Sequence, residues 1–169
     1  MTTNTSFLWF LVAAMALGLA ACQGSSDAMQ TEESGGEVGV MVGLQRTACF
    51  GRCPVYELSV LSNGQASLRV ERFCDEAFGR SLSEGMHHAQ VDIGIWRKLI
   101  VDEAQSMGFD TLASRYDDPK VMDLPANIMT VDGKTVWNRY GGPNLTPLYT
   151  RIERLVGSTD WVASPQTAR

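Results

Sequence analysis

Apolar and polar residues alternate along residues 54–73 of this chain. Tyr56, Leu58 and Val60 alternate with Glu57 and Ser59. Beyond Asn63-Gly64, Ala66, Leu68 and Val70 alternate with Ser67, Arg69 and Glu71. A period of two sends each set to one face, so the pattern predicts two half-buried antiparallel strands. The turn decides their register. A two-residue Asn63-Gly64 loop would oppose Leu58 to Arg69 and Val60 to Ser67, mixing core with solvent on one face. A three-residue loop, Ser62-Asn63-Gly64, opposes Tyr56 to Val70, Leu58 to Leu68 and Val60 to Ala66. All six apolar side chains then share a face, and Gly64 takes the left-handed position of a G1 bulge.

The period then changes. Ile93, Trp96, Ile100, Ala104 and Met107 recur at spacings of three and four, with Asp92 before them as a cap and Gly108 after them as a stop. This predicts a helix over 92–107. A second hairpin is expected over 126–140, turning at Asp132-Gly133, its register less defined because apolar residues occur on both faces. A second helix is expected over 145–156, with Leu145, Leu148, Ile152 and Leu155 as its stripe. Asn144 or Thr146 can cap it, Pro147 is tolerated in its first turn, and Gly157 follows. Residues 39–47 and 87–91 are candidate further strands. The expected fold is α+β: an antiparallel sheet built from two hairpin-plus-helix units, helices on one face. One domain is expected over 38–162, with a C-terminal tail at 163–169.

The N-terminal region has a different character. Residues 7–21 (FLWFLVAAMALGLAA) are fifteen residues without a charge. A bilayer-spanning helix needs about 20 apolar residues, so the run fits the apolar region of a secretory signal. Its end, Leu19-Ala20-Ala21-Cys22, resembles a bacterial lipobox. That resemblance implies removal of residues 1–21 and a diacylglyceryl group on the Cys22 sulfur. Residues 22–37 are rich in Ser, Gly and acids, with Met29 as the one large apolar residue. They are expected to form a flexible tether. Several acyl chains hold a protein at a bilayer far better than one, so an acylated Cys22 would anchor the chain to a membrane, facing the periplasm. Gln23 in place of an Asp resembles the pattern that sends such proteins to the outer membrane.

Composition narrows the classes. The 148 residues after the signal are one domain's worth plus a tether, and 44% hydrophobic content is ordinary for a globular chain. The net charge of −5 lies wholly outside residues 1–21. An acidic chain without a basic block is a poor candidate for nucleic acid or for an anionic lipid surface. No nucleophile elbow, phosphate loop or dinucleotide fingerprint occurs, so no cofactor is expected.

One segment carries a specific resemblance. Residues 46–56, Arg-Thr-Ala-Cys-Phe-Gly-Arg-Cys-Pro-Val-Tyr, are similar to the signature RTxCFGxCPxY of a bacterial family, domain of unknown function 6438. Agreeing features follow across roughly residues 40–161. They are Asn63-Gly64 in a hairpin, Trp96 and Leu99 in a helix, Gly108-Phe109 before Leu112 and Tyr116, Asp123 and Pro125 before a strand, and a last helix before Trp161. The family implies no activity. It sharpens the fold and the cysteine pairing. With Cys22 acylated, three cysteines remain in an oxidising compartment. Gly51 and Pro54 argue against a helix between Cys49 and Cys53, so the segment can curl and bridge them. Loop-closure entropy alone would then contribute about 2 kcal/mol. The rival pairing is Cys53–Cys74, which lie opposite each other in the rejected two-residue register. In the preferred register Cys53 faces Phe73, which favours Cys49–Cys53 and leaves Cys74 a partly buried thiol.

The remaining candidate chemistry is thin. Catalytic dithiols usually sit at a helix N-terminus in a C-x-x-C spacing, whereas Pro54 opens a strand. His87 and His88 are adjacent on an expected strand and point to opposite faces, so they do not chelate one metal. Asp117, Asp118 and Asp123 share a short loop with Pro119 and Pro125 and could form a cation, polar-ligand or acid–base site. The plainer reading of these acids is turn chemistry. Trp96, Trp137 and Trp161 are expected in packing. Three functions follow. The first is a non-catalytic envelope module that binds a protein or cell-wall component. The second is a hydrolase-like or cation-binding site at Asp117, Asp118 and Asp123. The third is a thiol redox protein using Cys49 and Cys53.

Overall fold

In the computed structural model, which describes residues 38–165, the first hairpin takes the three-residue turn. Strands β2 (Val55–Leu61) and β3 (Gln65–Arg72) pair with Tyr56 opposite Val70, Leu58 opposite Leu68 and Val60 opposite Ala66. Gly64 has φ +83° at the turn, a conformation that a Cβ makes costly. All six facing side chains are buried. The register is therefore the one in which no apolar residue of this set is turned to water.

The sheet has eight strands and is mostly antiparallel. The other six are β1 (Val40–Arg46), β4 (Gly85–Gln90), β5 (Arg115–Tyr116), β6 (Asn127–Val131), β7 (Lys134–Asn138) and β8 (Val162–Ala163). Their spatial order is β5-β7-β6-β1-β2-β3-β4-β8, with only the β5–β7 pair parallel. Both expected hairpins occur. The second turns at Asp132 (φ +43°) and Gly133 (φ +82°), the pair of left-handed residues that a tight two-residue hairpin needs. The hairpins do not sit side by side as repeated units: β1 lies between them, pairing with β2 on one side and β6 on the other. The last strand includes Ala163, so the sheet runs one residue past the expected domain end at 162.

Three longer or α-helical segments, α1 (Asp75–Phe78), α2 (residues 93–106) and α3 (Thr146–Ser158), and a 3-10 turn at Phe109–Thr111 complete the described domain. The Asp92 side chain caps α2, accepting from the Gly94 and Ile95 amides at 2.8 and 3.2 Å. The middle of α2, Arg97–Val101, is π-helical. The wider turn shifts the buried stripe: Val101 joins Trp96, Ile100 and Ala104 in the core, while Ile93 and Met107, expected in the stripe, are left exposed. Leu148, Tyr149, Ile152 and Val156 of α3 enter the same core cluster as Leu44, Leu58, Leu68 and Met129 of the sheet. Each buried side chain of this kind contributes roughly 1.5–3 kcal/mol.

Gly157, expected just beyond the second helix, lies inside it, because α3 continues to Ser158. A Cβ on Gly157 would collide with the Phe78 carbonyl oxygen at the end of α1. The glycine therefore permits helix α3 to lie against α1. In an open helix, alanine gains about 1 kcal/mol over glycine. Here Gly157→Ala is expected to lower the melting temperature, by the roughly 1–3 kcal/mol typical of overpacking. A raised melting temperature would show that α1 yields without cost.

Candidate functional site

The two ends of the 46–56 motif meet in space. Arg46 closes β1, Tyr56 lies at the start of β2, and they are cross-strand partners. Both reach Glu153 on α3. The Arg46 Nη1 donates to Glu153 Oε1 at 2.7 Å, and the Tyr56 hydroxyl donates to the same oxygen at 2.9 Å. Glu153 is 8% exposed and Tyr56 1%. A carboxylate this deep needs a charge partner and hydrogen bonds, and here it has both. Burial, and then the Glu153 charge, push the Tyr56 phenol well above its ordinary value. The ring itself packs on Phe78, centroids 5.0 Å apart.

The same row of the sheet continues in polar residues. Arg46 pairs with Asn127, Asn127 with Asn138, and Asn138 with Tyr116. Tyr149 belongs to the same helix as Glu153 and is also buried, and burial pushes its phenol up, partly offset by the nearby Asn138 amide and the Arg46 charge. Arg46 Nε, Asn127 Oδ1 and the Tyr149 hydroxyl are buried without a geometrically formed hydrogen bond among the described residues. The motif end of the core is thus a polar layer. One oxygen of Glu153 accepts from two donors at once, an arrangement suited to holding the helix and strands together rather than to taking a proton from a substrate.

Beyond Arg46 the chain forms the disulfide loop. Cys49 and Cys53 stand at disulfide distance, Cα atoms 5.8 Å apart. The loop is tied to residues 123–126. Thr47 donates its amide to Ala126 O at 3.0 Å and accepts the Ala126 amide on its hydroxyl at 2.8 Å. The Phe50 amide donates to Asp123 O at 3.2 Å. The pairing is the preferred one, but the hairpin register does not account for it. The ladder slips by one residue, so Val55 faces Arg72, whereas Tyr56 faces Val70. Extended further, that shifted register would set Cys53 opposite Cys74. Phe73, at φ +57°, breaks the strand first. Cys74 turns inward and is buried, its thiol donating to Arg72 O at 3.2 Å and Val55 O at 3.3 Å. Burial raises the Cys74 thiol above its ordinary value, which keeps it protonated and unreactive near neutral pH.

The three acids of the 117–123 loop have separate tasks. Asp117 pairs with Arg115 at 2.6 Å and lies 3.4 Å from Arg139. These arginines flank the Trp137 ring, at 4.5 and 5.8 Å from its centroid. Asp118 accepts the Lys120 amide on its carboxylate at 2.9 Å, closing a turn. Asp123 is exposed and holds the disulfide loop through its backbone carbonyl. Among the described residues no three His, Cys, Asp or Glu side chains gather as metal ligands would. His87 is buried and bonds Ser83 O at 2.8 Å, while His88 is exposed. Trp96 is in the core, and half-buried Trp161 donates its ring N–H to Val156 O at 2.9 Å.

Sequence reasoning missed Glu153. A signal was present: Tyr149, Ile152, Glu153 and Val156 fall on one helical face, so the stripe of α3 contains an acid that must find a cation.

Residues 40–156 match the family described as Domain of unknown function (DUF6438). The chain belongs to that family. Neither the curated proteins nor the solved structures contain a match to it. Within this DUF6438 domain, the motif's Arg46 and Tyr56 fasten the sheet to the last helix, and its cysteines shape the loop between them.

Removing Glu153 strands Arg46 and Tyr56, so Glu153→Ala is expected to cost about 3 kcal/mol in urea unfolding. Tyr56→Phe is expected to cost about 1.5–3 kcal/mol, a hydrogen bond to a charged group. Because the fold raises the Tyr56 pKa above 10.0, the unfolded chain releases that proton first. Stability therefore falls as pH rises from about 10 towards the folded value. The Tyr56→Phe variant should lose less stability over that alkaline range than the parent, and equal slopes would contradict the assignment.

Proposed function

We propose that the protein is a cell-envelope lipoprotein anchored through Cys22, its DUF6438 domain acting as a non-catalytic binding module for a protein or cell-wall component. Cys22 and the 22–37 tether lie outside the described residues, and the support for the anchor is the Leu19–Cys22 sequence. The observation that carries the binding reading is the sheet face turned away from the core. In register across it run Thr130, Gly43, Ser59, Ser67 and His88, and beside them Gln45, Glu57, Arg69 and Met86. Its side chains are mostly small or polar, and it includes a depression of about 360 Å³ lined by Ser59, Gln65, Ser67 and His88 together with Leu61, Ala66 and Ala89. The exposed Glu57–Arg69 contact of 4.0 Å adds little stability, leaving both charges available to a partner.

The acid–base reading of Asp117, Asp118 and Asp123 draws less support, since Asp117 accepts from Arg115 on one oxygen and lies 3.4 Å from Arg139 on the other, and Asp118 closes its own turn. The redox reading requires an activated thiol, and Cys49 and Cys53 lie on a loop that leads into strand β2 rather than into a helix whose N-terminus would stabilise a thiolate.

Cys22→Ser is expected to release the protein from the membrane fraction or block its processing; unchanged membrane association with normal cleavage would refute the anchor. Joint replacement of Asp117, Asp118 and Asp123 by Asn is expected to preserve the cellular phenotype as long as the variant folds. Substitutions at Glu57, Arg69 and Glu71 should weaken partner capture. If the Asn variant folds yet loses function while the hairpin variants keep it, the acidic loop is the active site.

A further inference from the structure

Phe50 is 95% exposed at the tip of the Cys49–Cys53 loop. The other prominent motif residues have work within the fold: Arg46 and Tyr56 bind Glu153, Thr47 binds Ala126, and the cysteines close the loop. The Phe50 ring has none. Its backbone, by contrast, is doubly held, by the cysteine pair and by the hydrogen bond to Asp123 O. A large apolar side chain presented to water on a restrained loop is preorganised for contact, because little freedom remains to be lost on binding.

The surroundings say what kind of contact. Phe73 is 42% exposed and held at φ +57°, an outlying conformation for an aromatic residue. The Arg52 guanidinium lies 4.9 Å from its ring centroid and that of Arg72 5.8 Å. Among the described residues neither arginine forms an ion pair. The segment bonded to the loop adds Met122, 82% exposed, and Leu124, 41%. Exposed acids stand close by as well: Glu71 beside Arg72, Asp75 and Glu76 just after Phe73, and Asp123 between Met122 and Leu124. This end of the domain therefore presents exposed apolar side chains and, among nearby acids, two arginines that form no ion pair with the described residues, on a chain whose net charge is −5.

We propose that the Phe50 loop docks a protein partner whose apolar pocket is rimmed by carboxylates. Phe50 enters the pocket, and Arg52 and Arg72 pair with the rim. The inference rests on the binding-module reading and names the contact surface. A carboxylate rim suits two separate guanidinium groups better than an anionic lipid surface does. Polybasic recognition of lipid uses four to eight clustered cations, and the negative charge of the rest of the chain opposes approach to a like-charged sheet. Pairing with a rim needs only short-range contacts. The chain enters β1 at Val40 and the loop leaves it at Arg46, so the loop projects from the opposite end of that strand.

The test is photo-crosslinking in intact cells, using the full chain with p-benzoylphenylalanine in place of Phe50, and a second probe in place of Ser67 on the open sheet face. The expected result is a protein adduct at position 50 whose crosslinked peptide contains Asp or Glu. Its yield should fall about fivefold with Arg52→Glu and Arg72→Glu, and Phe50→Ala should compete poorly while melting like the parent. If the charge-reversed chain does not fold, the yield from the purified parent complex should fall by a similar factor at high salt. An adduct to lipid, an adduct to a second copy of this chain, or a yield indifferent to the arginines and to salt would overturn the proposal. An adduct at position 67 with none at 50 overturns it and leaves the binding module standing. No adduct at either position removes both.

Discussion

A single buried carboxylate holds the motif end of this domain together. Glu153 sits on the last long helix, inside the core, where an isolated negative charge would be prohibitively unstable. It is tolerated because the end of β1 delivers Arg46 and the start of β2 delivers Tyr56 to the same oxygen. Those residues are ten apart in sequence and adjacent across the ladder. The contact closes the sheet against the helix and fixes the ends of the loop between them. Net stabilisation by such a network is modest, since desolvation offsets most of the attraction. Its larger effect is on uniqueness: a helix shifted by one residue would leave three buried polar groups unpaired.

The loop inherits its rigidity from that clamp. Arg46 and Tyr56 set its ends, Thr47 and the Phe50 amide tie it to residues 123–126, and the cysteine pair shortens it. The acids of the neighbouring segment are absorbed by the same construction. Asp117 bridges the arginines that flank Trp137, Asp118 closes a turn, and Asp123 lends a carbonyl to the loop. Within the motif, the Phe50 ring stands 95% exposed.

The sheet ends on two-residue strands at both edges, β5 and β8. Such short edges offer few unpaired backbone groups to another strand.

The first hairpin is fully legible in the sequence, because its register is a local matter: only the three-residue turn puts Tyr56, Leu58 and Val60 on one face with Val70, Leu68 and Ala66. The cap at Asp92 and the turn at Asp132-Gly133 are legible for the same reason. Cys49 and Cys53 are the expected pair, yet the hairpin register does not explain them, because the slip beside Val55 and the positive φ of Phe73 are responses to packing that no pairing rule contains. The π-helical turn that brings Val101 into the core, and the passage of α3 through Gly157 against Phe78, also arise from contacts distant in sequence. So does the meeting of Arg46, Tyr56 and Glu153. What the sequence determined by itself were elements whose energetics lie within a few residues: periodicity, turns, caps and a short cysteine loop. What only the tertiary structure decided was the insertion of β1 between the hairpins and the pairing of charges about a hundred residues apart, since burial and charge compensation depend on which surfaces meet.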